Sequence, residues 1–205
     1  MSASRRFGVL AIMMMLAEPA WAHHVMGGSL PQTFLQGLLS GLGHPVIGVD
    51  HLAAIVGVGI LAALTGRSAA VVLAFSVAVI AGVGLHLSRI DLPASELFVG
   101  LTTLLIGALV IVRQSMSAGR ALLLFALAGL VHGYTLGESI VGAEASPLVA
   151  YLLGLLLIQT AIGVVVYAAV RGLARWPARP AGLTVAGVLV ALAGGIATAA
   201  AAGLA

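Results

Sequence analysis

The chain has 205 residues, of which 61% are hydrophobic and only 7% are charged, whereas soluble domains carry roughly 25% charged residues. This charge content is too low to cover a water-exposed surface, so the composition excludes a soluble enzyme and a disordered chain. The formal net charge of +3 includes nine basic residues, all arginines scattered singly or in pairs. They form no basic face, which excludes a nucleic-acid-binding protein.

The first 22 residues have the features of a cleavable signal peptide. Two arginines precede an apolar stretch, and residues 20–22 (Ala-Trp-Ala) match the small-x-small pattern of a cleavage site. The apolar stretch of about ten residues is too short to cross roughly 30 Å of hydrocarbon. We predict cleavage after Ala22, which leaves residues 23–205 as a single transmembrane helical domain.

Six apolar runs of spanning length follow, which predicts an all-α, polytopic membrane protein with about six transmembrane helices. The runs cover residues 44–65, 69–88, 95–112, 121–142, 147–170 and 182–204. Ahead of them, residues 31–42 form a shorter segment that we predict to lie on the outer surface or to re-enter the membrane. The sequence Gly-Leu-Gly at 41–43 predicts a break after this segment.

The arginines predict the orientation of these helices. If the mature N-terminus lies outside the cytoplasm, six arginines fall in cytoplasmic loops and only Arg89 falls outside, as the positive-inside rule requires. The six are Arg67, Arg113, Arg120, Arg171, Arg175 and Arg179. This distribution predicts a membrane protein whose mature N-terminus lies outside the cytoplasm.

The first span opens with a polar motif, His44-x5-Asp50-His51. An ionisable side chain inside a bilayer costs about 2.5–3.5 kcal/mol, so each one needs a reason to be there. In a continuous helix His44 and His51 would share one face, with Asp50 about 100° around the axis. This arrangement predicts a metal-binding cluster. The structural alternative is that His44 is an interfacial helix cap and that Asp50 and His51 pair with each other or with a neighbouring helix.

A second motif lies in the fourth span, where His132 precedes Gly133 and Glu138 follows. By the predicted topology, His132 lies roughly 10 Å below the outer end of its helix, a depth similar to that of His51. We therefore predict that the two motifs meet in one outward-facing cavity. The alternative is that His132 is a satisfied core histidine.

Imidazole and carboxylate groups are suitable ligands for Ni²⁺, Co²⁺ or Zn²⁺, and the absence of cysteine removes thiolate sites. After cleavage, His23, His24 and the new α-amine would form a further nitrogen-rich chelate, unless this end is simply a solvated tail. The predicted metal ligands are therefore His44, Asp50, His51, His132, Glu138, His23 and His24.

The motif His44-x5-Asp50-His51, followed by His132-Gly133 and a carboxylate, resembles the HupE/UreJ family of bacterial membrane proteins. The resemblance covers essentially the whole chain, including the signal peptide and the six spans. It implies a nickel or cobalt permease that supplies hydrogenase or urease.

The second motif departs from the family pattern, which is broadly F-H-G-x-[AV]-x-G-x-E. In this chain Val131 precedes the histidine, Thr135 takes the small-residue position, and Ser139 stands where the pattern has Glu. Glu138 is one residue early, which on a regular helix turns it about 100° from the expected face.

The sequence therefore predicts a permease, not an enzyme, that moves Ni²⁺ or Co²⁺ into the cytoplasm, with Zn²⁺ ranking after them. The ion is cargo, so no permanently bound cofactor is predicted. The expected partners are the lipid bilayer and the ion but not nucleic acid, with a homo-oligomer left open. The chain has no lysine and no P-loop motif for ATP. The alternatives are an intramembrane metal-dependent hydrolase and a metal-sensing or structural subunit.

Overall fold

The computed structural model describes residues 29–66, 69–175, 177 and 179–204, and in these segments all regular structure is helical. The predicted signal peptide and the predicted chelate at His23 and His24 lie outside the described residues. The helices are α1 (Phe34–Ile47), α2 (Val49–Leu64), α3 (Ala70–Leu87), α4 (Ser95–Ile111), α5 (Ala118–Gly137), α6 (Ala145–Gly172) and α7 (Arg179–Ala201). Single 3-10 turns, Glu138–Ile140 and Leu173–Arg175, follow α5 and α6. The predicted all-α class is confirmed.

The helices have the length and composition of a polytopic membrane protein. The four helices α3, α5, α6 and α7 are each long and apolar enough to span a bilayer, α5 together with its 3-10 turn. The pair α1 and α2 passes the same test only jointly, because it bends by 80°, and α4 is apolar but shorter. Large apolar side chains such as Leu157 and Val165 are 59% and 66% exposed. An apolar exterior of this kind is suited to lipid.

Helix α2 forms the centre of the bundle. Its residues Ala54, Val58 and Leu61 are completely buried, and it packs against α4, α6 and α7. The outer helices form three closely packed pairs, α1 with α6, α3 with α5, and α4 with α7. The buried face of α2, which includes His51, therefore lies inside protein rather than in lipid.

The prediction of one continuous helix over residues 44–65 is wrong. Helix α1 continues through the predicted break at residues 41–43, and the chain bends instead at Gly48, which has extended backbone angles (φ −71°, ψ 103°) between α1 and α2. Gly41 serves close packing, because a Cβ there would overlap the carbonyl oxygen of Tyr151 on α6. His44 consequently belongs to α1 and is not on the same helix as His51.

One end of the bundle contains most of the arginines that the structure describes, namely Arg113, Arg120, Arg171 and Arg179. Arg113, at the end of α4, donates hydrogen bonds from Nη2 to the Pro180 carbonyl (3.0 Å) and to Thr184 Oγ1 (3.1 Å) at the start of α7. The end of α6 and the start of α5 join this end through short connections. We call it the arginine-rich end. Helix α3 also begins there, since it runs parallel to α5, with Gly129 against Phe75 and Gly133 against Val79.

The contact between α3 and α5 depends on glycines, and a matched pair of variants tests this. A Cβ at Gly82 would overlap the carbonyl oxygen of Leu130, whereas a Cβ at Gly84 would meet nothing within 4 Å. Gly82→Ala should therefore lower the Tm of purified protein in detergent, with an overpacking cost of about 1–3 kcal/mol. Gly84→Ala should keep or raise the Tm, because alanine favours a helix by roughly 1 kcal/mol over glycine. Equal Tm values for the two variants would contradict this packing.

Candidate metal site

The bend at Gly48 places the first turn of α2 inside the bundle. Asp50 lies in that turn, and its Oδ1 accepts a hydrogen bond from the His51 backbone N–H at 2.8 Å. A carboxylate here also interacts favourably with the positive end of the helix dipole. A Cβ at Gly48 would come within 2.8 Å of the His51 ring. Glycine at the bend thus leaves space for the His51 imidazole.

Two histidines, which we call the histidine pair, meet across the bundle. The Nδ1 atoms of His51 on α2 and His132 on α5 are 2.7 Å apart, and both residues are buried. Their ring centroids are 4.9 Å apart with an interplanar angle of 69°. Such a short contact between ring nitrogens requires one to carry a proton and the other to accept it. The structure therefore brings together one histidine from each predicted motif.

Two threonines of α4 indicate which ring nitrogen of His132 carries no proton. Thr102 Oγ1 and Thr103 Oγ1 lie 3.3 and 3.4 Å from His132 Nε2. Each hydroxyl has one proton, and both face helix carbonyls: Thr102 donates to Phe98 O at 2.8 Å, and Thr103 to Val99 O at 2.9 Å. With their protons given to these carbonyls the hydroxyls accept from His132, which predicts that Nε2 carries the proton of the neutral ring and Nδ1 keeps its lone pair. A metal ligand is oriented in the same way.

Sequence analysis did not single out these threonines. The signal was present, because Thr102 and Thr103 are adjacent polar residues in helix α4, which is apolar from Leu97 onward apart from them. Their hydroxyls can bond to their own helix, so the sequence alone provides no reason to place them beside a histidine.

His44 lies apart from the histidine pair, in the last turn of α1. It is buried, and its ring centroid is 6.4 Å from that of Tyr151 on α6 in an edge-on arrangement. Tyr151 donates a hydrogen bond from its hydroxyl to Leu136 O at 2.8 Å. This contact ties His44 and Tyr151 to the end of α5, where the second motif ends.

The carboxylate of the second motif lies in the 3-10 turn after α5. Glu138 is exposed, whereas Ser139 is half-buried. Ser139 Oγ donates to Leu136 O at 3.0 Å and lies 3.1 Å from the Tyr151 hydroxyl. Ser139, which stands at the Glu position of the family pattern, thus faces the protein, while Glu138 faces outward.

The predicted single cluster of four or more ligands is not assembled in the described residues. Within segments 29–66, 69–175 and 179–204, no three His, Cys, Asp or Glu side chains converge closely enough to hold an ion together. In the structure His51 contacts His132, and Asp50 accepts a hydrogen bond from the backbone N–H of His51. The roles of His44, Asp50 and Glu138 in metal binding stay predictions.

A separate cavity of about 360 Å³ opens at the end of the bundle opposite the arginine-rich end. His86, Asp91 and Tyr134 are among its lining residues. The rings of His86 and Tyr134 are in edge-on contact with centroids 4.6 Å apart, and the Tyr134 hydroxyl accepts a hydrogen bond from Leu92 N at 3.0 Å. His86 therefore lines a different space from the histidine pair.

The fold and this site together define a helical membrane protein that buries two imidazoles against each other. The chain matches the model of the HupE/UreJ protein family over residues 10–197 and belongs to that family. It is 35% identical over 124 residues to the protein HupE of Rhizobium leguminosarum bv. viciae, an alignment that spans 60% of this chain and 62% of that relative. No solved structure matches the chain.

The proton position on His132 is testable by ¹⁵N NMR of histidine-labelled protein. We expect a protonated Nε2 and an unprotonated Nδ1, because the two threonine hydroxyls give their protons to helix carbonyls. Replacing both Thr102 and Thr103 by Val removes these acceptors and should shift the proton toward Nδ1. Thr184→Val, at the arginine-rich end, is the control and should leave the spectrum of His132 unchanged. A protonated Nδ1 in the unaltered protein would overturn the assignment.

Proposed function

We propose that this protein is a permease that carries Ni²⁺ or Co²⁺ across the bacterial inner membrane. The observation that supports this proposal is the buried contact between His51 Nδ1 and His132 Nδ1 at 2.7 Å inside a membrane-spanning bundle. Packing offers no motive for two imidazoles in an apolar interior, since ionisable groups there are costly. Imidazole nitrogens are suitable ligands for late divalent metals.

The distance between the two nitrogens suits a shared ion. Two nitrogens bound to one ion at 2.0–2.1 Å, in octahedral or tetrahedral geometry, lie roughly 2.8–3.4 Å apart. The observed 2.7 Å separation therefore needs to widen by less than an ångström, and the rings must turn so that both lone pairs point at the ion. The His51 ring must also lose its Nδ1 proton, because a ligand nitrogen needs its lone pair.

A pair of ligands suits a transported ion better than a resident one. Structural zinc sites have four protein ligands, and catalytic zinc sites have three with one open position. The histidine pair supplies two, and no group of three His, Cys, Asp or Glu side chains is present in the described segments. Transport requires binding strong enough for the ion to arrive and weak enough for it to leave. The ligand count and family membership favour the permease over the metal-dependent hydrolase.

We assign the remaining predicted ligands to the route by which the ion reaches the histidine pair. His44 and Asp50 flank the bend at Gly48, and we assign them to guiding the ion toward His51. The exposed Glu138, together with His23 and His24 at the mature N-terminus, would collect ions outside. This direction assumes that the arginine-rich end is cytoplasmic. By the family resemblance, the imported metal would serve hydrogenase or urease.

Uptake of radiolabelled Ni²⁺ or Co²⁺ by cells that express the protein tests the proposal. His51→Ala and His132→Ala should each lower the initial rate by roughly tenfold or more at equal protein level, because each removes one of two ligands. His86→Ala is the control and should have a small effect, since His86 lies against Tyr134 in the separate cavity. Uptake at the unaltered rate in both His51→Ala and His132→Ala would refute the permease proposal.

Glu138 and Ser139 allow a finer test of ion collection. Glu138→Gln should raise the KM for uptake and leave the maximal rate unchanged, because an exposed carboxylate concentrates cations but lies outside the buried path. Ser139→Ala should instead lower the Tm, since it removes the contact with Tyr151. A normal KM in Glu138→Gln, with a raised KM in Ser139→Ala, would assign the ligand position to Ser139.

A further inference from the structure

Two polar side chains with no role so far lie in the interior of the bundle. Ser76 on α3 is completely buried, and Gln159 on α6 is 1% exposed. Neither Ser76 Oγ nor Gln159 Oε1 has a hydrogen-bond partner among the described residues. Buried oxygens in native proteins nearly always have a partner, so each exception requires an explanation.

Ser76 and Gln159 lie at the same level of the contact between α3 and α6. These helices are antiparallel, and a Cβ at Gly163 on α6 would contact Val72 on α3. Residues four apart lie on the same face of a helix, one turn along. Ser76 is four residues after Val72, and Gln159 is four residues before Gly163. One turn from the Gly163 contact, the two residues therefore lie at the same depth on the facing sides of α3 and α6.

This position lies slightly nearer the arginine-rich end than the histidine pair. Gly133 packs against Val79, so the preceding residue, His132, lies at about the level of residue 78 on α3. Ser76 is two residues nearer the start of α3, which is about 3 Å deeper at 1.5 Å per residue. The neighbouring Phe75 ring contacts the His132 ring, with centroids 5.7 Å apart. The two side chains thus lie close to the level of the pair and are displaced from it toward the arginine-rich end.

We propose that Ser76 Oγ and Gln159 Oε1 form a second binding step, an oxygen site, that receives the divalent cation from the histidine pair during its movement toward the arginine-rich end. This inference rests on the proposed permease function. A hydroxyl and an amide oxygen are uncharged ligands that late divalent metals prefer less than imidazole. A weaker second site draws the ion from the pair without trapping it, as permeation through successive sites requires.

Isosteric removal of the oxygens tests the oxygen site. Ser76→Ala and Gln159→Leu should each lower the initial rate of Ni²⁺ or Co²⁺ uptake by roughly tenfold. The same variants should bind Ni²⁺ at equilibrium with unchanged Kd, because the histidine pair is intact. Their Tm in metal-free detergent should stay equal or rise, since losing a buried oxygen without a partner does not destabilise the fold.

The chain provides a matched control in Thr160. Its Oγ1 is also buried and without a hydrogen-bond partner, but Thr160 lines an apolar groove on the outside of the bundle, beside the exposed Leu157 and Val165. Thr160→Val should leave both uptake and Kd unchanged. An equal loss of uptake in Thr160→Val and Gln159→Leu would overturn the proposal.

The remaining outcomes separate this inference from the proposed function. If His132→Ala loses uptake while Ser76→Ala and Gln159→Leu keep it, the oxygen site is wrong and the permease stands. If the two oxygen variants lower the Tm and reduce uptake only in proportion to folded protein, the oxygens hold a structural water and the oxygen site is wrong. If His51→Ala and His132→Ala also keep full uptake, the permease itself is refuted.

Discussion

The contact between His51 and His132 is the interaction on which the rest of the site depends, because it brings two imidazole nitrogens together in the buried interior of the bundle. It joins residues 81 positions apart in the chain. It requires α2 to begin inside the bundle, which the bend at Gly48 provides, and it requires an oriented His132 ring, which Thr102 and Thr103 provide. Without these supports, burying two imidazoles would cost free energy and would not produce an oriented pair.

Much of the fold could be predicted from the sequence because each helix is a long apolar run. Helices α3 to α7 lie within a few residues of their predicted bounds, and both members of the histidine pair were expected to carry the chemistry. The predicted break at residues 41–43 differs from the observed bend at Gly48, because glycine permits both close packing and bends and the sequence does not distinguish the two. Gly41 permits close contact with Tyr151, whereas Gly48 permits the bend.

The parts of the site that the sequence did not reveal are contacts between helices. Thr102 and Thr103 on α4 meet His132 on α5, and the register of α3 against α6 decides that Ser76 faces Gln159. Periodicity assigns a residue to a face of its own helix but does not say which helix packs on that face. The outward direction of Glu138, by contrast, agrees with its offset of one residue from the family pattern, although Glu138 lies in a 3-10 turn after Gly137 and not on a regular helix.

The ligands of the proposed route change from charged to uncharged groups toward the arginine-rich end. In that route the exposed or half-buried carboxylates of Glu138 and Asp50 come first, the two imidazoles follow, and the uncharged oxygens of Ser76 and Gln159 come last. Charged ligands work best where water still reaches them, since an unpaired carboxylate in the apolar centre would be expensive. Uncharged ligands avoid that cost, and oxygen ligands bind late divalent metals less tightly than imidazole does. A carrier that binds its ion weakly in the middle of the membrane can release it.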